Sequence, residues 1–236
     1  MWRNWFPRFK VTKNKPVNNF PTAYLNEKGD QKYDALLMSN VVPMYPEFKK
    51  IWDYFQNTLL KKYAYIYNSI NVVTGPAFDY NYDGQYDTPE QIQQYPMTAN
   101  DMTLHKSSIS KSCTFPMNKT VFLFDYRFVS GTNIPIPTHY FAVLTSCKFN
   151  EQPVSECAGE LQSVSFLLPH LSHNSESCKS TEAESQWVED LMWFHQARLR
   201  DVEWITGLDF YQESDRPIPE LLKVKTRPTA AIHRKL

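Results

Sequence analysis

Glycine is scarce in this chain, with six residues in 236. Most turns must therefore rely on the 16 prolines and on Asn and Asp, which preset φ or hydrogen-bond their own backbone. Net charge is absent as well: 25 Lys and Arg balance 25 Asp and Glu. The chain thus has none of the overall basicity that marks a nucleic-acid binder. No apolar run reaches the length of a membrane-spanning helix. The opening "MWRNWFPRFKVTKNKP" has no apolar h-region, so it does not read as a signal peptide. On that reading the chain is either cytosolic or a piece of a longer precursor. None of the four cysteines, Cys113, Cys147, Cys157 and Cys178, forms a CxxC pair, which argues against a zinc site.

What is present is the material of a folded domain. Hydrophobic residues make up 42% and aromatics 15%, enough to build a substantial core over this length. Cys147 and Cys157 flank the polar stretch "KFNEQPVSE". This spacing suits a short disulfide-closed loop, with buried free thiols as the alternative. Asn118-Lys119-Thr120 is a glycosylation sequon.

Residues 1–31 are basic, aromatic and patternless, and are expected to be an irregular N-terminal segment. "DALLMSNVVPM" (34–44) suits a strand and turn. A helix is predicted from Pro46 to about Asn68, because Phe48, Ile51, Trp52, Phe55, Leu59, Leu60 and Tyr63 recur at helical spacing. Pro46 suits its first turn and Asn68 its left-handed end. Strands are predicted at "INVVTGPAF" (70–78), "TVFLFDYRFV" (120–129), "IPIPTHYFAVLTS" (134–146) and "SVSFLLPH" (163–170). A second long helix is predicted over 182–206. It would open on a Thr181–Glu184 capping box, place Trp187, Leu191, Phe194, Val202 and Ile205 on one face, and close at Gly207. Strands followed by helices with little alternation give an α+β class.

The stretch "DYNYDGQYDTPE" (79–90) carries the chemistry. Counted from Asp79, the loop has Asp79, Asn81 and Asp83 at positions 1, 3 and 5. Gly84 is at 6, Gln85 at 7, Asp87 at 9 and Glu90 at 12. This is the oxygen-ligand order of a calcium loop, with glycine at the sharp turn and a backbone carbonyl at position 7. The alternative is an Asx-rich turn with solvated carboxylates. The flanks are not those of an EF-hand, since a β-branched run and Gly75-Pro76 precede the loop. A closed shell of protein oxygens leaves little room for substrate, so the expected role is structural.

Five stretches occur in order: "KYDALLMSNVVPMYPEFKKIWDYF", "NVVTGPAFDYNYDG", "IPIPTHYFAVLTSC", "NSESC" and "ARLRDVEWITGLDFYQ". Together they resemble the C-terminal nuclease-like domain of the ectonucleotide pyrophosphatase/phosphodiesterase family. At greater distance they are similar to the DNA/RNA non-specific endonucleases of the ββα-metal fold. The resemblance implies a nuclease-like domain over residues 32–226, interrupted by an insertion at about 96–131, with a tail at 227–236. It also implies that the domain is catalytically degenerate. The endonucleases place an Asp-Arg-Gly-His motif upstream of the Ser39-Asn40 stretch, where this chain has no histidine. They use an asparagine metal ligand just before the tryptophan, where Lys49 and Lys50 precede Trp52. Phosphodiester chemistry in the family belongs to an upstream domain with two zinc ions, absent from this sequence, which would be the partner of this one. By resemblance the calcium ligands are Asp79, Asn81, Asp83, the Gln85 carbonyl, Asp87 and Glu90. Cys147 and Cys157 form an intradomain disulfide, and Cys178 bridges to the absent domain. The setting implied is extracellular. Cys113 and Asn118, in the insertion, match nothing in the family. An active metal-dependent nuclease and a stand-alone calcium-binding module remain the alternatives, with nucleic-acid binding disfavoured.

Of the remaining polar residues, His139, His170 and His195 read as framework histidines. Lys49, Lys50, Lys61 and Lys62 form a basic helix face, read as solvated unless acidic surfaces bind there. Arg198, Arg200 and Asp201 read as surface or interdomain pairs.

Overall fold

The computed structural model describes residues 8–12, 42–94, 128–129, 132–148, 152, 154–174, 179, 181–212 and 214–227. Its frame is a five-stranded antiparallel sheet in the order β1-β2-β3-β4-β5. The strands are β1 (Arg8–Thr12), β2 (Ser69–Ala77), β3 (His139–Cys147), β4 (Leu161–Pro169) and the short β5 (Gln196–Ala197). Mixed helix and antiparallel sheet is the α+β class expected.

Central β3 explains why "HYFAVLTSC" is nearly continuous in apolar character: both of its faces are covered. Successive strand residues point to opposite faces. Tyr140, Ala142 and Leu144 join one core together with Ile70, Val72, Val164, Phe166 and Leu168. That core is roofed by the helix α1 (Pro46–Tyr54), a π-helical turn (Phe55–Leu59) and α2 (Leu60–Ile66), with α4 (Val188–Phe194) beside them. Phe141 and Val143 join a second core with Leu199, Val202 and Val224. The last three belong to α5 (Leu199–Thr206) and α6 (Ile218–Thr226). The short α3 (Pro89–Gln94) follows the acidic loop.

The first predicted helix is present, with Pro46 in its first turn, and Asn68 adopts the left-handed conformation at φ 60°. Its unforeseen feature is the π turn, in which the Leu60 N–H reaches back five residues to the Phe55 carbonyl. The wider turn keeps Phe55, Leu59, Leu60 and Tyr63 all buried on one side.

Two expectations are corrected. Residues 182–206 are not one helix. A 3-10 turn at Glu184–Gln186 and α4 are followed by β5 and then α5. The chain leaves the helix at His195, whose carbonyl accepts the Leu167 N–H, and Gln196–Ala197 pair with Phe166 and Ser165. The open edge of β4 thus supplies hydrogen bonds that helix continuation would forgo. Phe194 is consequently 73% exposed rather than on the shared apolar face. The Thr181–Glu184 capping box does not form, since Ala183 precedes the 3-10 turn without a side-chain cap. The cap is made later, where the Asp201 carboxylate accepts the Arg198 N–H. Gly207 closes α5 at φ 66°, as expected.

The second correction concerns residues 1–31. Arg8–Thr12 form an edge strand on β2 rather than irregular chain. Alternating basic and apolar residues satisfy the period of a strand, and the backbone of β2 offers the partner. Of "TVFLFDYRFV", Phe128 makes an isolated antiparallel bridge to Pro135. Residues 120–127 of that strand prediction, most of the 96–131 insertion and the turn before Val42 lie outside the described residues.

Candidate metal centre

β2 ends at Ala77, opposite His139, and the acidic loop begins two residues later. Its two ends are pinned to the sheet. The Asp79 N–H donates to the Thr138 hydroxyl, and the Asp87 N–H donates to the Phe78 carbonyl, closing the loop at its neck. Thr138 is itself held by the Ala77 carbonyl. The far side is tied to α5, where the Tyr86 N–H reaches the Trp204 carbonyl at 2.9 Å.

Within the loop, side-chain oxygens and backbone N–H groups interlock. Asp79 Oδ1 accepts the Asp83 N–H and Oδ2 accepts the Gly84 N–H, both at 3.1 Å. Asn81 Oδ1 also accepts the Asp83 N–H. Asp83 Oδ1 accepts the Gln85 N–H at 2.8 Å, and Oδ2 accepts from the Asn81 amide. Asp87 accepts the Tyr80 N–H. Such folding requires left-handed backbone at Gly84, φ 78°, where no side chain is needed, and at Tyr82, φ 59°, where one is strained.

Asp79 and Asp87 are 3% and 2% exposed, whereas Asn81, Asp83 and Gln85 face solvent. Burial pushes the Asp79 carboxyl above its ordinary range, and the nearby charges of Asp83 and Asp87 push it the same way, against the lowering pull of the Gly84 and Asp83 N–H groups. Each Asp79 oxygen accepts one N–H and retains a second lone pair. The donor set is entirely oxygen, the choice of a hard cation rather than zinc.

The structure does not draw all six predicted ligands together. Glu90 lies exposed in the first turn of α3. Asp83 is turned onto Asn81 and Gln85. Among the described residues no three carboxylates, imidazoles or thiols are gathered as a metal-holding group. By composition the loop oxygens suit a hard cation, but only Asp79 and Asp87 are buried, and Asp83 would have to exchange its contact with Asn81.

His170 is buried: its Nδ1 faces the Pro137 carbonyl at 2.9 Å and its Nε2 accepts the Tyr45 N–H at 2.8 Å. These partners define a neutral ring with the proton on Nδ1. Burial lowers its pKa to about 4, despite the opposing Pro137 carbonyl. His139 Nδ1 meets the Thr138 hydroxyl, and His195 packs edge-on to Phe194. No periodicity signalled the clamp made by His170, because its partners lie 125 and 33 residues away in sequence.

The basic helix face is largely self-neutralised. Lys49 pairs with Asp53, Lys50 with Glu47 and Lys62 with Glu189. Arg198 pairs with Asp201 and Arg200 with Glu203, inside this chain. Sequence reasoning missed what surrounds Glu203. This buried carboxylate also takes Lys225 of α6 at 2.7 Å and the Phe210 N–H, while Lys225 reaches Asp209 as well.

At the opposite end of β3, Cys147 and Cys157 form the expected disulfide, closing ten residues. Arg216 donates to the Cys157 and Gly159 carbonyls and to Glu220, fastening α6 to that turn. Cys113, Cys178 and Asn118 lie outside the described residues.

No family model matches the chain. Individual relatives do. It is 46% identical over 218 residues to ectonucleotide pyrophosphatase/phosphodiesterase family member 3 of Mus musculus, covering 92% of this chain and 21% of that protein. It is 44% identical over 224 residues to a venom phosphodiesterase of Naja atra, covering 94% and 22%. Venom phosphodiesterase 2 of Crotalus adamanteus gives 42% over 223 residues, covering 94% and 23%. The chain therefore spans about a fifth of the length of these curated relatives.

Proposed function

We propose that this chain, a homologue of one region of the ectonucleotide pyrophosphatases/phosphodiesterases, is a non-catalytic, calcium-stapled support domain of a larger extracellular phosphodiesterase. The fold we assign to it is the ββα-metal fold of non-specific endonucleases with its catalytic site lost. Its role is to support folding, secretion and rigidity of an upstream catalytic domain holding two zinc ions, to which Cys178 would bridge. Whether that parent is a nucleotide pyrophosphatase or a lysophospholipase D is decided in the upstream domain.

The carrying observation is the acidic loop. It buries two carboxylates, Asp79 and Asp87, in a loop whose side-chain donors are all oxygen. Among the described residues Asp79 makes no ion pair, so its charge is balanced only by two N–H groups. Gathering carboxylates without a counter-charge is costly; a bound calcium ion supplies that charge. Asp79, Asn81, Asp83 and Asp87 would hold it by side chains and Gln85 by its carbonyl. Glu90, on the exposed face of α3, is the outlying ligand.

The loss of catalysis rests on residue chemistry. Hydrolysis of a phosphodiester needs a base within reach of the attacking water and an open metal position. His170 has both ring nitrogens engaged, and Lys49 and Lys50 hold carboxylates of their own helix.

Thermal melting with calcium and with chelator tests the staple. Calcium at a hundredfold its Kd adds about 2.7 kcal/mol, which for this size raises Tm by roughly 5–10 °C. Asp83→Ala is expected to lower Tm and to remove the difference between the two conditions. Equal melting of the unaltered chain with calcium and with chelator would sink the calcium assignment. Incubation with plasmid DNA and magnesium is expected to leave the plasmid intact. Cleavage abolished by a substitution in this chain would establish the nuclease reading instead.

A further inference from the structure

Residues 42–45 lead into α1 without belonging to a strand or helix, and all four are only half-buried. No side-chain cap holds the start of the helix. The entry is pinned instead by three side-chain contacts with residues far away in sequence. The Tyr140 hydroxyl, on β3, donates to the Pro43 carbonyl at 2.7 Å. The Tyr45 N–H donates to His170 Nε2 at 2.8 Å, and the Asn174 amide donates to the Glu47 carbonyl at 2.9 Å.

These contacts answer differently to acid. The Asn174 amide does not titrate, and burial pushes the Tyr140 phenol above its ordinary range, so it remains a donor. His170 changes role. Its Nδ1 proton is given to the Pro137 carbonyl, which leaves Nε2 as the acceptor. A second proton turns Nε2 into a donor facing another donor, the Tyr45 N–H. It also places a cation among the rings of Tyr45, Phe48 and Tyr140. The titratable groups packed on the ring are the Tyr45 and Tyr140 phenols. The Glu47 carboxylate of α1 is held by Lys50 at the surface, and His139 Nδ1 meets the Thr138 hydroxyl. Burial and the Pro137 carbonyl are what act on the ring, with no neighbouring charge to offset the cation.

We propose that His170 is an acid-sensitive latch: a proton on Nε2 frees residues 42–45 while the sheet stays folded. The backbone of His170 stays in place, because its N–H donates to the Thr138 carbonyl at 2.8 Å. What yields is the entry, together with the bond from the Lys49 N–H to the Tyr45 carbonyl. Release uncovers Val42, Met44 and Tyr45, which are only partly buried against the core, and leaves Phe48, Ile51 and Trp52 within it. Opening is therefore local and easier than unfolding. The folded ring has its pKa lowered from 6.5 to about 4. From pH 7.5 to pH 5 the released form thus gains about thirtyfold over the latched form.

Amide hydrogen exchange of the whole chain, read by NMR and corrected for the intrinsic effect of pH, tests the latch. Tyr45 is expected to be less protected than the β3 amides at both pH values, and to lose about thirtyfold of its protection between pH 7.5 and pH 5. In His170→Gln the side-chain carbonyl can accept the Tyr45 N–H without titrating, so the pH dependence of Tyr45 is expected to vanish. The ring nitrogen shifts of the unaltered chain keep the test independent of that variant. Nε2 is expected to be unprotonated at pH 7.5 and to gain its proton as Tyr45 loses protection. A proton on Nε2 at pH 7.5, or pH-independent protection of Tyr45, would overturn the latch. Equal protection of Tyr45 and the β3 amides at both pH values would also overturn it, since the entry would then open only when the domain unfolds.

Discussion

The two ends of β3 are secured by opposite chemistry. At the Cys147 end, a covalent bond and the Arg216 guanidinium hold the β3–β4 turn against α6. At the His139 end, backbone N–H groups tie the acidic loop to the Thr138 hydroxyl and to α5, while the Asp79 carboxylate accepts N–H groups within the loop. The covalent end is closed in any oxidising setting. Under the proposed calcium reading, the carboxylate end reaches its full strength only when a cation balances its charge. One strand thus links the two fastenings, its nine residues spanning roughly 26 Å at strand rise.

The largest expected effect comes from removing both fastenings. Closing a ten-residue loop contributes about 3 kcal/mol in the chain-entropy account, similar to saturating calcium. At that separation the two losses should add, to about 5–6 kcal/mol, a large fraction of ordinary domain stability. Chemical denaturation of Cys147→Ser/Cys157→Ser with and without chelator measures the sum; a total differing from the separate losses by more than about 1 kcal/mol would show that the two ends communicate.

His170 gives a smaller effect with a defined pH window. It joins the start of α1 to Pro137, next to the loop, and its folded pKa is lowered to about 4 from 6.5. A depressed histidine contributes stability that is complete above the unfolded value. That stability falls as pH drops from 6.5 toward about 4, because the unfolded chain takes the proton first. The full loss is about 3 kcal/mol, with about 2 kcal/mol already gone at pH 5. Denaturation at pH 7.5 and pH 5 should show this slope, and His170→Gln should flatten it.

The smallest effect belongs to the basic helix face. Lys49 and Lys50 sit in exposed pairs with Asp53 and Glu47, and such pairs contribute about 0–1 kcal/mol. Lys49→Ala should change the denaturation midpoint very little and leave retention on a heparin column unaltered. A clear drop in retention would revive the acidic-surface reading.

What the sequence made legible was what is local. The helix from Pro46 and the strands around Val72, Val143 and Val164 follow from spacing and from Gly-Pro or Pro boundaries. The acidic loop was visible as an order of residue types, because its carboxylates, amides and turn glycine lie within twelve positions. The break at His195 was not visible, since it depends on the free edge of β4, which no local pattern encodes. Nor was the edge strand at Arg8–Thr12, whose partner lies some sixty residues later. The cluster of Glu203, Lys225 and Asp209 was likewise hidden, because only the packing of α6 on α5 brings these charges together.

The two-sided burial of β3 also constrains how this fold can change in length over evolution. Alternate residues feed separate cores, so one residue gained or lost within 139–147 would send Tyr140, Ala142 and Leu144 to the side shaped for Phe141 and Val143. Related sequences should accordingly keep the nine positions of β3 free of insertion or deletion.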